Sequence, residues 1–157
     1  IGIEKIIIKS AFFTNPQIVH DLASRFGSQS ISVSVDYRYS KLYRRHVCVD
    51  NNNKRISKES PLFFAKLAES LGAGEIILFN TDRDGTFSGL DTHQISHVSN
   101  AISIPVLGLG GASSLQDISC CIQSGSSGVL AGSLFVYHGK HNAVLISYPQ
   151  PFEIDNL

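Results

Sequence analysis

The chain has 157 residues, 43% hydrophobic and 17% charged, with 13 basic and 13 acidic side chains and a formal net charge of zero. That composition belongs to one globular domain with a real core, and it excludes an intrinsically disordered segment. Zero net charge argues against a general nucleic-acid or anionic-membrane binder, though small anions can still be held by backbone amides. Cys48, Cys120 and Cys121 are odd in number and two are adjacent, so a secreted disulfide framework is not expected, and no zinc-ligand spacing appears. With no signal-peptide pattern and no long apolar run, the expected setting is cytoplasmic. The sequence has no Met and opens inside an apolar segment. The expectation is a piece of a longer protein.

In chain order, residues 5–9 (KIIIK) read as a short buried strand. Asn15-Pro16 opens a helix carrying Ile18, Val19, Leu22 and Phe26, and Gly27 stops it. Residues 31–36 (ISVSVD) form the second strand. A polar insert follows at 37–58. It reads as a hairpin, with alternation over 45–49, a turn at 50–53 and a return through 54–56. Ser60-Pro61 starts the next helix, stopped by Gly72, and 75–80 (EIILFN) is the third strand. Asp91 opens a helix with Ile95, Val98 and Ile102. Residues 104–109 (IPVLGL) are the fourth strand. Ser113 or Ser114 opens a helix stopped by Gly125, and 128–131 (GVLA) is the fifth strand. Strand and helix alternate throughout, which means βα units and a parallel sheet. After it, residues 134–137 suggest one helical turn. The tail lacks helical spacing, and Pro149 and Pro151 are expected to end any helix.

The loop Asp82-Arg83-Asp84-Gly85-Thr86, after the third strand, draws the eye first. In parallel α/β proteins the loops at the carboxyl ends of strands carry ligands. Two carboxylates flank an arginine there, and Gly85 and Gly89 permit sharp turns. Asp-Gly is also an ordinary turn signal. Gly110-Gly111 and Gly132-Ser133 each follow a strand and precede a helical segment, the arrangement in which backbone amides bind phosphate.

Together these segments resemble the cyclase subunit of imidazole glycerol phosphate synthase, a histidine-biosynthesis (βα)8 barrel. Matching stretches are Phe26-Gly-Ser-Gln29, Val33-Ser-Val-Asp36, Leu71-Gly-Ala-Gly-Glu-Ile-Ile-Leu78, Asp82-Arg-Asp-Gly-Thr86, Gly89-Leu-Asp91, Ile104-Pro-Val, Gly110-Gly-Ala112 and Ala131-Gly-Ser133. The resemblance implies an α/β TIM barrel represented by about its last five βα units, with a hairpin insert after the fifth barrel strand. The expected division is a partial barrel over 1–148 and a tail over 149–157. A full barrel needs about 250 residues.

The resemblance also implies roles. Asp36 matches the second of two catalytic aspartates, and is expected at the rim. Asp84, Gly85, Gly110, Gly111, Gly132 and Ser133 match phosphate- and substrate-binding positions. Lys9-Ser10 stands where the family has Asn-Thr at another phosphate-binding strand end. Lys5 and Glu75 match members of a charged ring through which ammonia enters, and Glu4 matches a position facing a glutaminase. Phe79 departs from a usual Thr. The implied partner is a glutaminase subunit in a heterodimer, and the implied substrate is a bis-phosphorylated ribulosyl nucleotide. No cofactor, metal, nucleic acid or membrane is called for.

Three readings follow. One is an ammonia-dependent cyclase-lyase with Asp36 as general acid/base. The second is a cyclase-like paralogue that supplies ammonia for amidation of a nucleotide-linked sugar in surface-polysaccharide synthesis, which the unusual tail favours. The third is a non-catalytic phosphate-binding half-barrel.

Overall fold

The computed structural model describes residues 4–50, 55–139, 141 and 143–154. Strand β1 (Ile6–Ile8) leads into a short helix α1 (Ser10–Thr14) and then α2 (Gln17–Phe26). Nothing in the sequence announced α1, whose N-cap Lys9 offers no side-chain oxygen. Pro16 sits at the α2 N-cap with helical dihedrals, and Gly27 ends that helix at φ +87°, which a residue without a Cβ adopts freely.

The second strand, β2 (Ile31–Ser40), runs past its expected end at residue 36. Its extension pairs antiparallel with β3 (Arg45–Asp50), and β3 pairs antiparallel with β4 (Arg55–Ser57). The insert is therefore a three-stranded meander rather than one hairpin. Residues 51–54, where the expected turn and the start of the return fall, lie outside the described residues.

Helix α3 (Pro61–Ser70) begins at Ser60, whose Oγ accepts the Phe63 amide at 3.2 Å, with Pro61 in the first turn. Strand β5 (Glu75–Asn80) precedes α4 (Thr92–Ser99), capped by Asp91 accepting from the Gln94 amide. Strand β6 (Val106–Leu109) precedes α5 (Leu115–Gln123), capped by Ser114. Strand β7 (Gly128–Leu130) precedes the single turn α6 (Ser133–Val136). A small ladder of β8 (Tyr137–His138) and β9 (Ala143–Val144) follows. Helix α7 (Pro151–Ile154) comes last. Pro151 was expected to end a helix and instead opens one, where its missing N–H costs nothing.

The parallel strands lie in the order β1-β2-β5-β6-β7, an open sheet with the meander beyond β2. Side chains alternate across such a sheet, so register assigns the faces. One face carries Ile31, Val33, Val35 and Tyr37 of β2 with Ile76 and Leu78 of β5. All are buried with Phe12, Val19, Phe64, Ala68, Ile95 and Val98 from the helices, and this is the core. The opposite face carries Lys5, Ile7 and Lys9 in line with β1, then Ser32, Ser34 and Asp36, then Glu75, Ile77 and Phe79, and finally Leu107, Leu109 and Leu130. Ile7 is 58% exposed and Leu130 36% exposed on this second face.

Candidate active site and glycine-lined cavity

Asp36 occupies the second face of β2, opposite Phe79 of β5. It was expected at a rim. It is instead fully buried, because β2 continues beyond it and the meander packs on. Ser34 Oγ donates to Asp36 Oδ1 at 2.8 Å. Asp36 Oδ2 is a buried oxygen with no well-angled hydrogen-bond donor among the described residues, and the Lys9 ammonium stands 2.7 Å from it. Buried carboxylate oxygens are rarely left in that state, and each instance calls for an explanation. Burial pushes the Asp36 carboxyl above its usual range. The Lys9 and Ser34 contacts pull the other way, and the negative charge of Asp50 adds to the rise.

Lys9 is thus a counter-ion to Asp36, and its ammonium also lies 4.9 Å from the centre of the Phe79 ring. Ser10 Oγ donates to Asp50 Oδ1 at 2.8 Å. Neither Lys9 nor Ser10 lines the glycine cavity described next.

At the carboxyl ends of β5, β6 and β7 lies a cavity of about 160 Å³. Asp84, Gly85, Gly110, Gly111, Gly132 and Ser133 all line it, so three loops distant in sequence meet at one place. Phe87, at φ +56°, lines it too and went unnoticed in the sequence. The glycines serve different needs. A Cβ on Gly110 would lie 2.4 Å from the Asn80 carbonyl oxygen, and one on Gly111 would lie 2.4 Å from the Gly89 carbonyl oxygen. Both have φ near +100°, at +100° and +95°. Those two are required by backbone packing. Gly132 has ordinary φ, and a Cβ there would meet nothing within 4 Å.

The acidic loop divides its labour. Asp82 Oδ2 accepts the Tyr39 amide at 2.8 Å, tying the loop to the meander. Arg83 donates to the carbonyls of Gly89 and Leu90 at 3.0 and 3.1 Å, folding the loop on itself. Asp84 alone of the three faces the cavity. Behind the loop, Asp91 Oδ2 accepts from Tyr37 Oη at 3.2 Å and Asn80 Nδ2 at 3.1 Å, which locks β2, β5 and α4 together.

At the other end of the sheet, Lys5 Nζ donates to Glu75 Oε2 at 2.9 Å, and Ser32 Oγ donates to Glu75 Oε1 at 2.7 Å. The second face of β2 is therefore a polar file. It runs from the Lys5–Glu75 pair through Ser32 and Ser34 to Asp36. The two serines were not singled out from the sequence, although polar residues at alternate positions in ISVSVD were the available signal. Glu4 is exposed just ahead of β1. No cluster of three or more His, Cys, Asp or Glu side chains able to hold a metal occurs among the described residues. Nor is any described helix long and apolar enough to cross a membrane.

A parallel βα sheet with an apolar helix-covered face, a polar file on the other, and a cavity among its carboxyl-end loops defines a barrel-type α/β protein. The chain belongs to the histidine biosynthesis protein family, whose sequence pattern it matches over residues 1–142. That family's fold is the TIM barrel, and the sheet here is an open part of one. The chain is 42% identical over 149 residues to a putative imidazole glycerol phosphate synthase subunit HisF of Leptospira interrogans, covering 94% of the chain and 59% of that relative. It is 40% identical over 156 residues to a putative subunit hisF2 of Pseudomonas aeruginosa, covering 99% and 62%. To the HisF subunit of Alkaliphilus metalliredigens it is 37% identical over 138 residues, covering 87% and 54%. The chain thus spans about three fifths of the length of the curated relatives it matches.

Proposed function

We propose that this chain forms part of a cyclase subunit of a glutamine amidotransferase system. In this reading it uses ammonia from a glutaminase partner to convert a bis-phosphorylated ribulosyl nucleotide into imidazole glycerol phosphate and aminoimidazole-carboxamide ribotide. The reaction belongs in the cytoplasm. The observation that carries this reading is the polar file from Lys5–Glu75 to Asp36. Ammonia is a small polar molecule, and a line of hydroxyl and carboxylate oxygens across an otherwise apolar strand offers it successive acceptors. Lys5 and Glu75 form the entrance, and Glu4 beside them faces the partner.

Asp36 takes and returns protons at the far end. A carboxyl whose titration is raised by burial is a recognised feature of sites that exchange protons in catalysis. The cavity at Asp84, Gly85, Gly110, Gly111, Gly132 and Ser133 receives one phosphate through backbone amides. Its volume of about 160 Å³ suits a phosphate group better than a whole nucleotide. Lys9 and Ser10 belong to the opposite phosphate. The test is turnover by the full-length protein with its glutaminase, given the ribulosyl nucleotide and either glutamine or free ammonia. Formation of both products supports the reading. Glutaminase stimulation without consumption of the nucleotide rejects it.

The sugar-amidation reading has a specific observation of its own. Phe79 lies beside Asp36 in register, and Lys9 closes over both. That puts an aromatic ring and an ion pair where ring closure of the nucleotide needs polar room. Ammonia-dependent amidation of a nucleotide-linked sugar, in a mixture that leaves the ribulosyl nucleotide untouched, would favour this alternative.

A further inference from the structure

A second cavity, of about 310 Å³, lies outside the polar face and shares no lining residue with the glycine cavity. Three separate pieces of chain build it: Tyr39, Arg45 and His46 of the meander, Ser60-Pro61 at the start of α3, and His93, Gln94 and His97 of α4. We infer that it is a binding site for a small organic phosphate bearing a planar ring, of the nucleoside monophosphate class. This inference is independent of the proposed cyclase role.

Three arguments support it. The first is the set of donors, with Arg45 the fixed positive charge. One guanidinium and three imidazoles face the cavity, and no carboxylate lines it. His93 and His97, four residues apart, share one face of α4. Arg45 donates to the Lys58 carbonyl at 2.7 Å. That contact fixes the side chain while a guanidinium fork keeps further donors for an anion. Two carboxylates stand behind the walls, both already hydrogen-bonded, and Asp91 Oδ2 also lies 3.7 Å from the His46 ring. Asp91 accepts from Tyr37, Asn80 and the Gln94 amide, and Asp82 accepts from the Tyr39 amide.

The second argument is rigidity. His46 Nδ1 lies 3.1 Å from Gln94 Oε1, and its Nε2 lies 3.7 Å from Asp91 Oδ2, so this ring is gripped from two sides. It meets Tyr37 and Tyr39 edge to face, with centroids 5.3 and 5.8 Å apart. Tyr37 is buried behind the wall, so the aromatic surface offered to a flat ring is that of Tyr39 and His46. The third argument is size. Small-molecule sites occupy roughly 300–1,000 Å³. This cavity reaches the lower end of that range, whereas the glycine cavity does not.

The experiment is an NMR titration of the protein with adenosine monophosphate, observing the imidazole C–H signals of its six histidines. Adenosine and inorganic phosphate serve as controls. His46, His93 and His97 are expected to shift in a saturable way while His20, His138 and His141 stay in place. Adenosine should bind at least about 10-fold more weakly, since a charge-assisted contact contributes on the order of the free energy of one such factor. Arg45→Gln should weaken binding by a similar factor with unchanged circular dichroism. Should that variant disturb the meander, the surface pair His93→Gln and His97→Gln supplies the same test from α4. Absence of any saturable shift at His46, His93 and His97 would overturn the inference. So would equal movement of all six histidines, or unaltered affinity in both folded variants.

Discussion

Lys9 Nζ stands 2.7 Å from Asp36 Oδ2, joining the end of β1 to the middle of β2 on the polar face of the sheet. The carboxylate is buried and the ammonium is half exposed. The ammonium therefore offsets part of the rise that burial imposes on the Asp36 carboxyl.

Replacing Asp36 by Asn keeps the shape of the side chain and removes its proton chemistry. Ammonia-dependent turnover should fall by roughly 10²–10⁴-fold. Stability should move the other way. The folded-state pKa of Asp36 is raised above the unfolded value, so between those two values the folded protein holds a proton that the unfolded chain has lost. Wild-type stability from this group is therefore full below the unfolded pKa and declines as pH rises through the folded one. Asp36→Asn should lack that decline. Urea denaturation at pH 4 and pH 7 checks it, and a variant that loses stability more steeply with rising pH than wild type would contradict the sign.

Glycine substitutions should separate ligand contact from backbone need. Gly111→Ala forces a Cβ at φ +95° into the Gly89 carbonyl, and should cost about 1–3 kcal/mol of stability or more. Gly132→Val adds bulk to open space at the cavity wall. It should leave the melting temperature within a few degrees while reducing phosphate affinity at least about 10-fold, as expected where a ligand must approach the backbone closely. Amide shifts on adding phosphate, followed alongside thermal melts, distinguish the two effects.

The Lys5–Glu75 pair should matter for ammonia delivered from the partner and little for ammonia supplied in solution. Glu75→Gln releases both Lys5 and Ser32 from the carboxylate. Glutamine-dependent turnover should drop several-fold while turnover at high external ammonium stays near wild type. Equal loss under both conditions would remove the pair from the ammonia route.

Asp91 should prove a structural centre. Asp91→Ala strips the partner from Tyr37 Oη and Asn80 Nδ2 and removes the α4 cap at the Gln94 amide. Loss of a buried acceptor together with a helix cap should cost about 2–4 kcal/mol, visible as a lower urea midpoint.

The sequence by itself determined the alternation of strands and helices, the helix starts at Ser60 and Asp91, the start at Ser113 or Ser114, which the structure resolves to Ser114, and the stop at Gly27. These depend on interactions within a few residues: a cap oxygen reaching an amide two or three positions on, or a glycine adopting positive φ. The glycine loops and Asp84 were also legible, because turn chemistry is local. Only the tertiary structure decided which members of a motif face the cavity. Asp82, Arg83 and Asp84 are consecutive, yet the second holds its own loop through Gly89 and Leu90 while the first holds the meander through Tyr39, which comes into reach only in the packed sheet. The same holds for Asp36. Its residue type and its place in line with Ser32 and Ser34 were visible in the strand's alternation, but its burial and its pairing with Lys9 arise from strand register, which brings together residues far apart in sequence.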